Sequence, residues 1–207
     1  MNLLRIILGS RSPRRQELLS QLLPETVIEV VPPADPEEPG FEDLHDRDAI
    51  HRQLISICTA KNEDVFQQRH ADTSVPILTA DTIGIAKRES GDLVVLGQPP
   101  DQPDWQETVK QWFLEDYAGK THLVLTGVCL RHHQRVLTQI AETQVTFYDQ
   151  EYVRARLDWY LSTQESLGKA GGYAIQGAGS IFVKRIEGSL SNVVGLPLET
   201  VFEMLNR

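Results

Sequence analysis

Leu3–Leu23, LLRIILGSRSPRRQELLSQLL, is the stretch from which the rest of the chain is read. The apolar run Leu3–Leu8 has the length and character of a buried strand. A Gly9-Ser10-Arg11 turn follows. Ser12 and Pro13 then stand at the N-cap and first position of an amphipathic helix carrying Leu18, Leu19, Leu22 and Leu23. A strand, a glycine turn and a helix N-terminus converge backbone N–H groups and the positive end of the helix dipole on one point, which attracts an anion. Arg11, Arg14 and Arg15 add guanidinium forks that match phosphate oxygens. The corner predicts a phosphate-bearing ligand. A plain βα corner with a solvated basic helix start is the other reading of the same residues.

The whole chain is acidic, with 20 Lys and Arg against 29 Asp and Glu and a net charge of −9 over 207 residues. A broad nucleic-acid-binding face is not expected on such a surface, so phosphate recognition must come from a local basic cluster. The length suits one domain over residues 1–207, or one domain with two lobes, and two lobes around a central cleft are expected. Apolar residues make up 41% and charged residues 24%, the balance of a soluble globular protein. Cys58 and Cys129 lack CxxC spacing and sit inside apolar patterns, which predicts buried free thiols in a reducing compartment. No run approaches the ~18 apolar residues of a membrane span, and no signal-peptide cleavage pattern is present. A cytoplasmic protein without a membrane partner is expected.

Downstream, Thr26–Val31 reads as a strand and is followed by an acidic loop containing Asp35 and Glu37. Asp46–Arg69 reads as a long helix in which Ile50, Leu54, Ile57 and Cys58 form the apolar stripe, with Lys61 on or beside it. Val75–Ala80 is a second buried strand that runs into Asp81-Thr82 and continues as Ile83–Ala86. A carboxylate between apolar strand halves is costly to bury unless it is paired or binds metal, which singles out Asp81. A hairpin turn over Arg88–Asp92 returns through Leu93–Leu96. Asp104–Tyr117 reads as a helix, Thr121–Leu130 and Val136–Phe147 as a long hairpin, and Asp149–Leu161 as a helix. The glycine-rich stretch Gly168–Gly179 suits close backbone approach to a ligand. Ile181–Ile186 reads as a strand, Gly188–Asn192 as a turn, and Pro197 opens a final helix. Strands first alternating with helices and then a long hairpin predict an α/β fold with a mixed sheet. Neither GxGxxG nor a Walker lysine loop is present.

Four stretches, in order, resemble one family. Ser10-Arg11-Ser12-Pro13-Arg14-Arg15 with Glu17-Leu18-Leu19 resembles the S-x-S-P-R-R-x-E-L-L signature of the Maf proteins. Ala80-Asp81-Thr82, the run Lys169–Gly177 and the run Asn192–Leu198 resemble their A-D-T, K-A-G-x-Y-x-I-Q-G and N-V-V-G-L-P-L. The resemblance implies an elongated mixed β-sheet flanked by helices, the Maf and inosine triphosphate pyrophosphatase-like fold. It also implies a nucleoside triphosphate pyrophosphatase that splits the α–β phosphate bond with a divalent cation, Mg²⁺ or Mn²⁺, and it admits a homodimer. Carried over by position, Asp81 is the general base or metal-linked carboxylate, with Glu37 as a second metal ligand. Ser10, Arg14 and Arg15 hold the phosphates, Lys61 adds charge, and Thr82, Lys169 and Gln176 also bind substrate, Gln176 facing the base. Arg14, Thr82 and Gln176 together resemble the branch acting on dTTP and UTP.

Three positions depart from the family pattern. The second acid of an acidic pair is replaced by Pro36 or displaced by one position to Glu37, Gln98 stands where a lysine precedes proline, and Gly168 replaces an aspartate. One phosphate-facing cation is worth about 1.5–3 kcal/mol, or roughly ten- to a hundredfold in rate. These departures keep a second reading open, a nucleotide-binding regulator linked to cell division with weak or no turnover. A plain phosphatase releasing orthophosphate is a third.

Overall fold

A computed structural model describes residues 3–35, 39–72, 74–100 and 103–207. Its centre is a seven-stranded mixed sheet in the order β2-β1-β3-β5-β6-β7, with β4 also paired to β3. The strands are β1 (Arg5–Leu8), β2 (Val27–Val30), β3 (Ile77–Lys87), β4 (Leu93–Leu96), β5 (Thr121–His132), β6 (Arg135–Phe147) and β7 (Val183–Glu187). The helices are α1 (Pro13–Leu22), α2 (Arg47–Gln68), α3 (Trp105–Gln111), α4 (Gln150–Ser162), α5 (Leu190–Val194) and α6 (Leu198–Leu205). The mixed α/β architecture read from the sequence is the one observed.

The placement of the site follows from how β3 is paired. On one side β5 runs antiparallel to it from Ile77 to Ile85. On the other side β1 is parallel to it only at Ile77 and Leu78, and β4 joins antiparallel only from Gly84 onward. Among the described residues, Ala80–Ile83 therefore has no strand neighbour on that side. The sheet has a notch there, with Asp81 and Thr82 at its back.

Successive residues of a strand point to opposite faces, so the notch is served by two helical layers. Ile83 and Ile85 pack with Ile50 and Leu54 of α2, and Ile77 packs with Val65 of α2. That is the face of Asp81. Leu78 and Ala80 pack with Leu18 and Leu19 of α1, with Val194 at the end of α5 and with Val201 and Met204 of α6. That is the face of Thr82. Farther along, an aromatic cluster of Phe113, Tyr117, Phe147, Tyr160, Tyr173 and Phe182 closes the core beneath the glycine-rich segment.

Several boundaries differ from expectation for local reasons. The helix expected over Asp104–Tyr117 is α-helical only to Gln111; Trp112–Tyr117 is wound as a π-helix, with the Ala118 N–H donating to the Phe113 carbonyl at 2.8 Å. Phe113, Asp116 and Tyr117 share one face under either winding, so periodicity could not tell them apart. Ile181 and Phe182 belong to a 3₁₀ turn and not to β7. The expected turn Gly188–Asn192 contains the start of α5, because Ser189 accepts the Asn192 N–H at 3.1 Å as an N-cap. Cys58 and Cys129 are buried free thiols, as read.

Candidate active site

The N-terminal corner is built as its residues imply. Ser12 caps α1, its hydroxyl accepting the Arg15 N–H at 3.4 Å, and Pro13 takes the first turn. Gly9 is where the turn passes β3: a Cβ there would lie 2.5 Å from the Thr79 side chain. The backbone contribution to anion binding is smaller than expected, because Pro13 has no N–H and that of Arg15 is taken by the cap. The side chains supply the positive charge instead.

Those side chains divide their work. Arg15 is a clip: its Nε donates to the Gly195 carbonyl at 2.8 Å, Nη1 to the Ser10 hydroxyl at 3.3 Å and Nη2 to the Thr82 hydroxyl at 3.1 Å. It ties α1 to β3 and to the turn after α5, so its first task is to hold Ser10 and Thr82 in place. Arg14, by contrast, donates to no protein acceptor among the described residues. Burial, and after it the neighbouring Arg15, holds its guanidinium below the usual arginine pKa, while Glu165 opposes the shift. Lys169 is lowered in the same way by burial and then by Arg14. Two cations crowded in a half-buried position with little counter-charge form a site that an anion would relieve.

Across the notch stands Asp81. Lys61, one turn beyond Cys58 on α2, donates from Nζ to Asp81 Oδ1 at 2.7 Å. The side chains are 14% and 16% exposed, which shields the pair from bulk water yet leaves it reachable. This contact resolves why a lysine lies on an apolar stripe: it meets the carboxylate that the opposite strand inserts into the core.

One cleft of about 580 Å³ unites these groups. Ser10, Arg14 and Arg15 line it from the corner, Lys61, Asp81 and Thr82 from the notch, and Lys169 and Gln176 from the glycine-rich segment. The structure thus brings together every described residue proposed for the site. Glu37 and Pro36 lie outside the described residues. Asp35 also lines the cleft, and its N–H and that of Ala34 are held by Asp64 Oδ2 at 3.1 and 2.9 Å. Gln98 is at the wall, where the family lysine was missed.

The donor set can be tested against a divalent cation. No group of three or more His, Cys, Asp and Glu side chains is placed to hold a metal ion among the described residues. Among the described residues the cleft offers two carboxylates, Asp35 and Asp81. That does not fit an all-protein cage, but it fits Mg²⁺ or Mn²⁺, which take one or two carboxylates and complete their coordination with water and substrate phosphates. The thiols do not enter the chemistry. Burial, and then the charge of Asp81, pushes the Cys58 thiol well up, and burial pushes Cys129 to about 11.

Asp64 and Glu165 were missed by sequence reasoning. Each works on backbone N–H groups well along the chain, Asp64 on Ala34 and Asp35 and Glu165 on Ala178 and Gly179, so no local motif marks it.

A family model described as Maf-like protein matches residues 5–207. The chain belongs to that family. It is 35% identical over 201 residues to a protein of Pyrococcus furiosus named dTTP/UTP pyrophosphatase, covering 97% of this chain and 94% of the relative. It is 37% identical over 207 residues to one of the same name from Anaeromyxobacter dehalogenans, covering 98% and 93%. Among solved structures, a HAM1 protein from Coxiella burnetii overlays 70% of this chain and 73% of its own, with a TM-score of 0.44 and 14% identity. The Maf-like match begins at β1 and runs to the last residue, so every group lining the cleft falls inside it.

Proposed function

We propose that this chain is a metal-dependent nucleoside triphosphate pyrophosphatase, acting best on dTTP and UTP and releasing the monophosphate and pyrophosphate. The observation that carries the reading is a single cleft with the half-buried cations Arg14 and Lys169 on one wall and the Asp81–Lys61 contact on the other. The relatives named dTTP/UTP pyrophosphatase support it. Buried free thiols suit a cytoplasmic setting, and no helix among the described residues is long and apolar enough to cross a membrane.

In this reading the triphosphate lies against Arg14 and Lys169, with Ser10, held by Arg15, donating its hydroxyl to a phosphate oxygen. Lys61 occupies one carboxylate oxygen of Asp81 and leaves the other to accept a proton from water. The water oxygen bonds to the α-phosphorus as the bridge to the β-phosphate breaks, and pyrophosphate leaves with the bond pair. Asp81 and Asp35 would hold the divalent cation together with the phosphates; when bound, it neutralises charge on the breaking bridge and orients the tail. Gln176, exposed at the cleft, presents an amide whose donor and acceptor match the edge of uracil or thymine. Gln98 removes one cation but leaves Arg14, Lys61 and Lys169, which argues for a slower enzyme and not an inactive one.

The test is product release from a nucleotide panel with Mg²⁺ or Mn²⁺. Pyrophosphate from dTTP and UTP, lost in Asp81→Ala, is expected. Orthophosphate as the product, or tight nucleotide binding without turnover, would overturn the reading.

A further inference from the structure

The turn that brings Gln176 to the cleft is held from behind by a carboxylate with no part in the chemistry above. Glu165 Oε1 accepts the Ala178 N–H at 3.0 Å, and Oε2 accepts the Gly179 N–H at 2.8 Å. Both oxygens grip the start of the 3₁₀ turn Ala178–Phe182, two and three residues beyond Gln176. Gly177 lies against this grip: a Cβ there would lie 1.6 Å from Glu165 Oε1 and 2.6 Å from its Cδ, so a side chain would have to push the carboxylate aside. The need is for space, since Gly177 has an ordinary φ of −120°. A Cβ at Gly179 would in turn press on the Ala174 carbonyl at 3.0 Å, so the segment on both sides of Gln176 folds tightly onto itself. Glu165 also faces the two cations of the cleft wall, Arg14 and Lys169.

We infer that Glu165 is a positioning residue for base recognition, fixing the direction in which Gln176 meets the nucleobase and so setting the preference among bases. The inference rests on the proposed nucleoside triphosphate reading. An exposed amide on a glycine-rich turn can swing to suit many partners. One whose backbone is anchored two and three residues away by charge-assisted bonds starts from a fixed Cα position and direction, which narrows where its donor and acceptor reach, and a base with the wrong edge then leaves polar groups unpaired.

The test measures affinities of α,β-imido analogues of UTP and CTP by calorimetry, which needs no turnover. In wild type the UTP analogue is expected to bind more tightly. Glu165→Ala should shrink the UTP-to-CTP affinity ratio by about tenfold, the factor of one hydrogen bond to a charged group, and Glu165→Gln, which keeps one acceptor, by less. In a Gln176→Ala background the Glu165→Ala change should leave the ratio unmoved. Should Glu165→Ala fail to fold, Gly177→Ala displaces the same carboxylate and should lower the ratio likewise. A wild type without base preference would overturn the inference. So would variants that weaken both analogues in equal proportion, the mark of a merely structural role. Failure of pyrophosphate release in the panel assay would sink the catalytic reading alone.

Discussion

At the scale of single residues the central group is Asp81, held at 2.7 Å by Lys61 and open to the cleft. Asp81→Asn keeps the size and one acceptor but cannot take the proton. Pyrophosphate release from dTTP should fall by about 10²–10⁴, the usual worth of a general base, with the unfolding midpoint little changed. Gln98→Lys restores a cation at the wall and should tighten triphosphate binding by about tenfold and raise the rate. Unchanged kinetics would place position 98 off the phosphate path. Asp81 and Lys61 were legible because each is a charge in an apolar pattern, and such a charge needs a reason. Arg15 was legible as a cation but not as a clip, since its acceptors at Ser10, Thr82 and Gly195 lie up to 180 residues away. Glu165 left no trace in the pattern at all.

At the scale of elements the site depends on how α2 seats against the sheet. Gly127 lets it approach: a Cβ there would lie 2.8 Å from Cys58 Sγ and 2.9 Å from Leu54 Cγ. Gly127→Ala should push α2 outward, cost about 1–3 kcal/mol in urea unfolding, and lower kcat by shifting Lys61 from Asp81. The wall opposite rests on the aromatic cluster. Tyr117 donates to the Gly171 carbonyl and Tyr160 to that of Gly172, both at 3.1 Å, and Tyr173 pairs with His122 at 2.8 Å. His122 is fully buried, and burial lowers its pKa to about 3 from an ordinary 6.5. The unfolded chain therefore binds a proton that the folded one refuses, and stability falls as pH drops from 6.5 toward 3. One proton corresponds to a slope of up to about 1.4 kcal/mol per pH unit. Denaturant midpoints between pH 4 and 6 should show this slope in wild type and a flatter one in His122→Gln; equal slopes would contradict it. The elements themselves were largely readable, since Ser12, Asp46 and Asp149 each announce a helix by capping it. The π-winding and α5 were not, because short turns are fixed by tertiary contacts and not by period.

At the scale of the whole molecule a protein of net charge −9 gathers Arg14, Arg15, Lys61 and Lys169 around one notch of its sheet. The notch exists because β1 leaves β3 after Leu78 and β4 arrives only at Gly84. Strand pairing of this kind is long-range, and no window of sequence displays it. The chemistry at its rim could be listed from residues, whereas that the two sets of residues face each other was carried by the family resemblance alone. The most direct check is a crystal structure grown with Mn²⁺ and the α,β-imido analogue of dTTP. The account predicts the triphosphate lying between Arg14 and Lys169 on one side and Asp81 on the other, with the anomalous signal of manganese beside Asp81. A nucleotide bound with its phosphates away from Arg14, or manganese remote from Asp81, would contradict it.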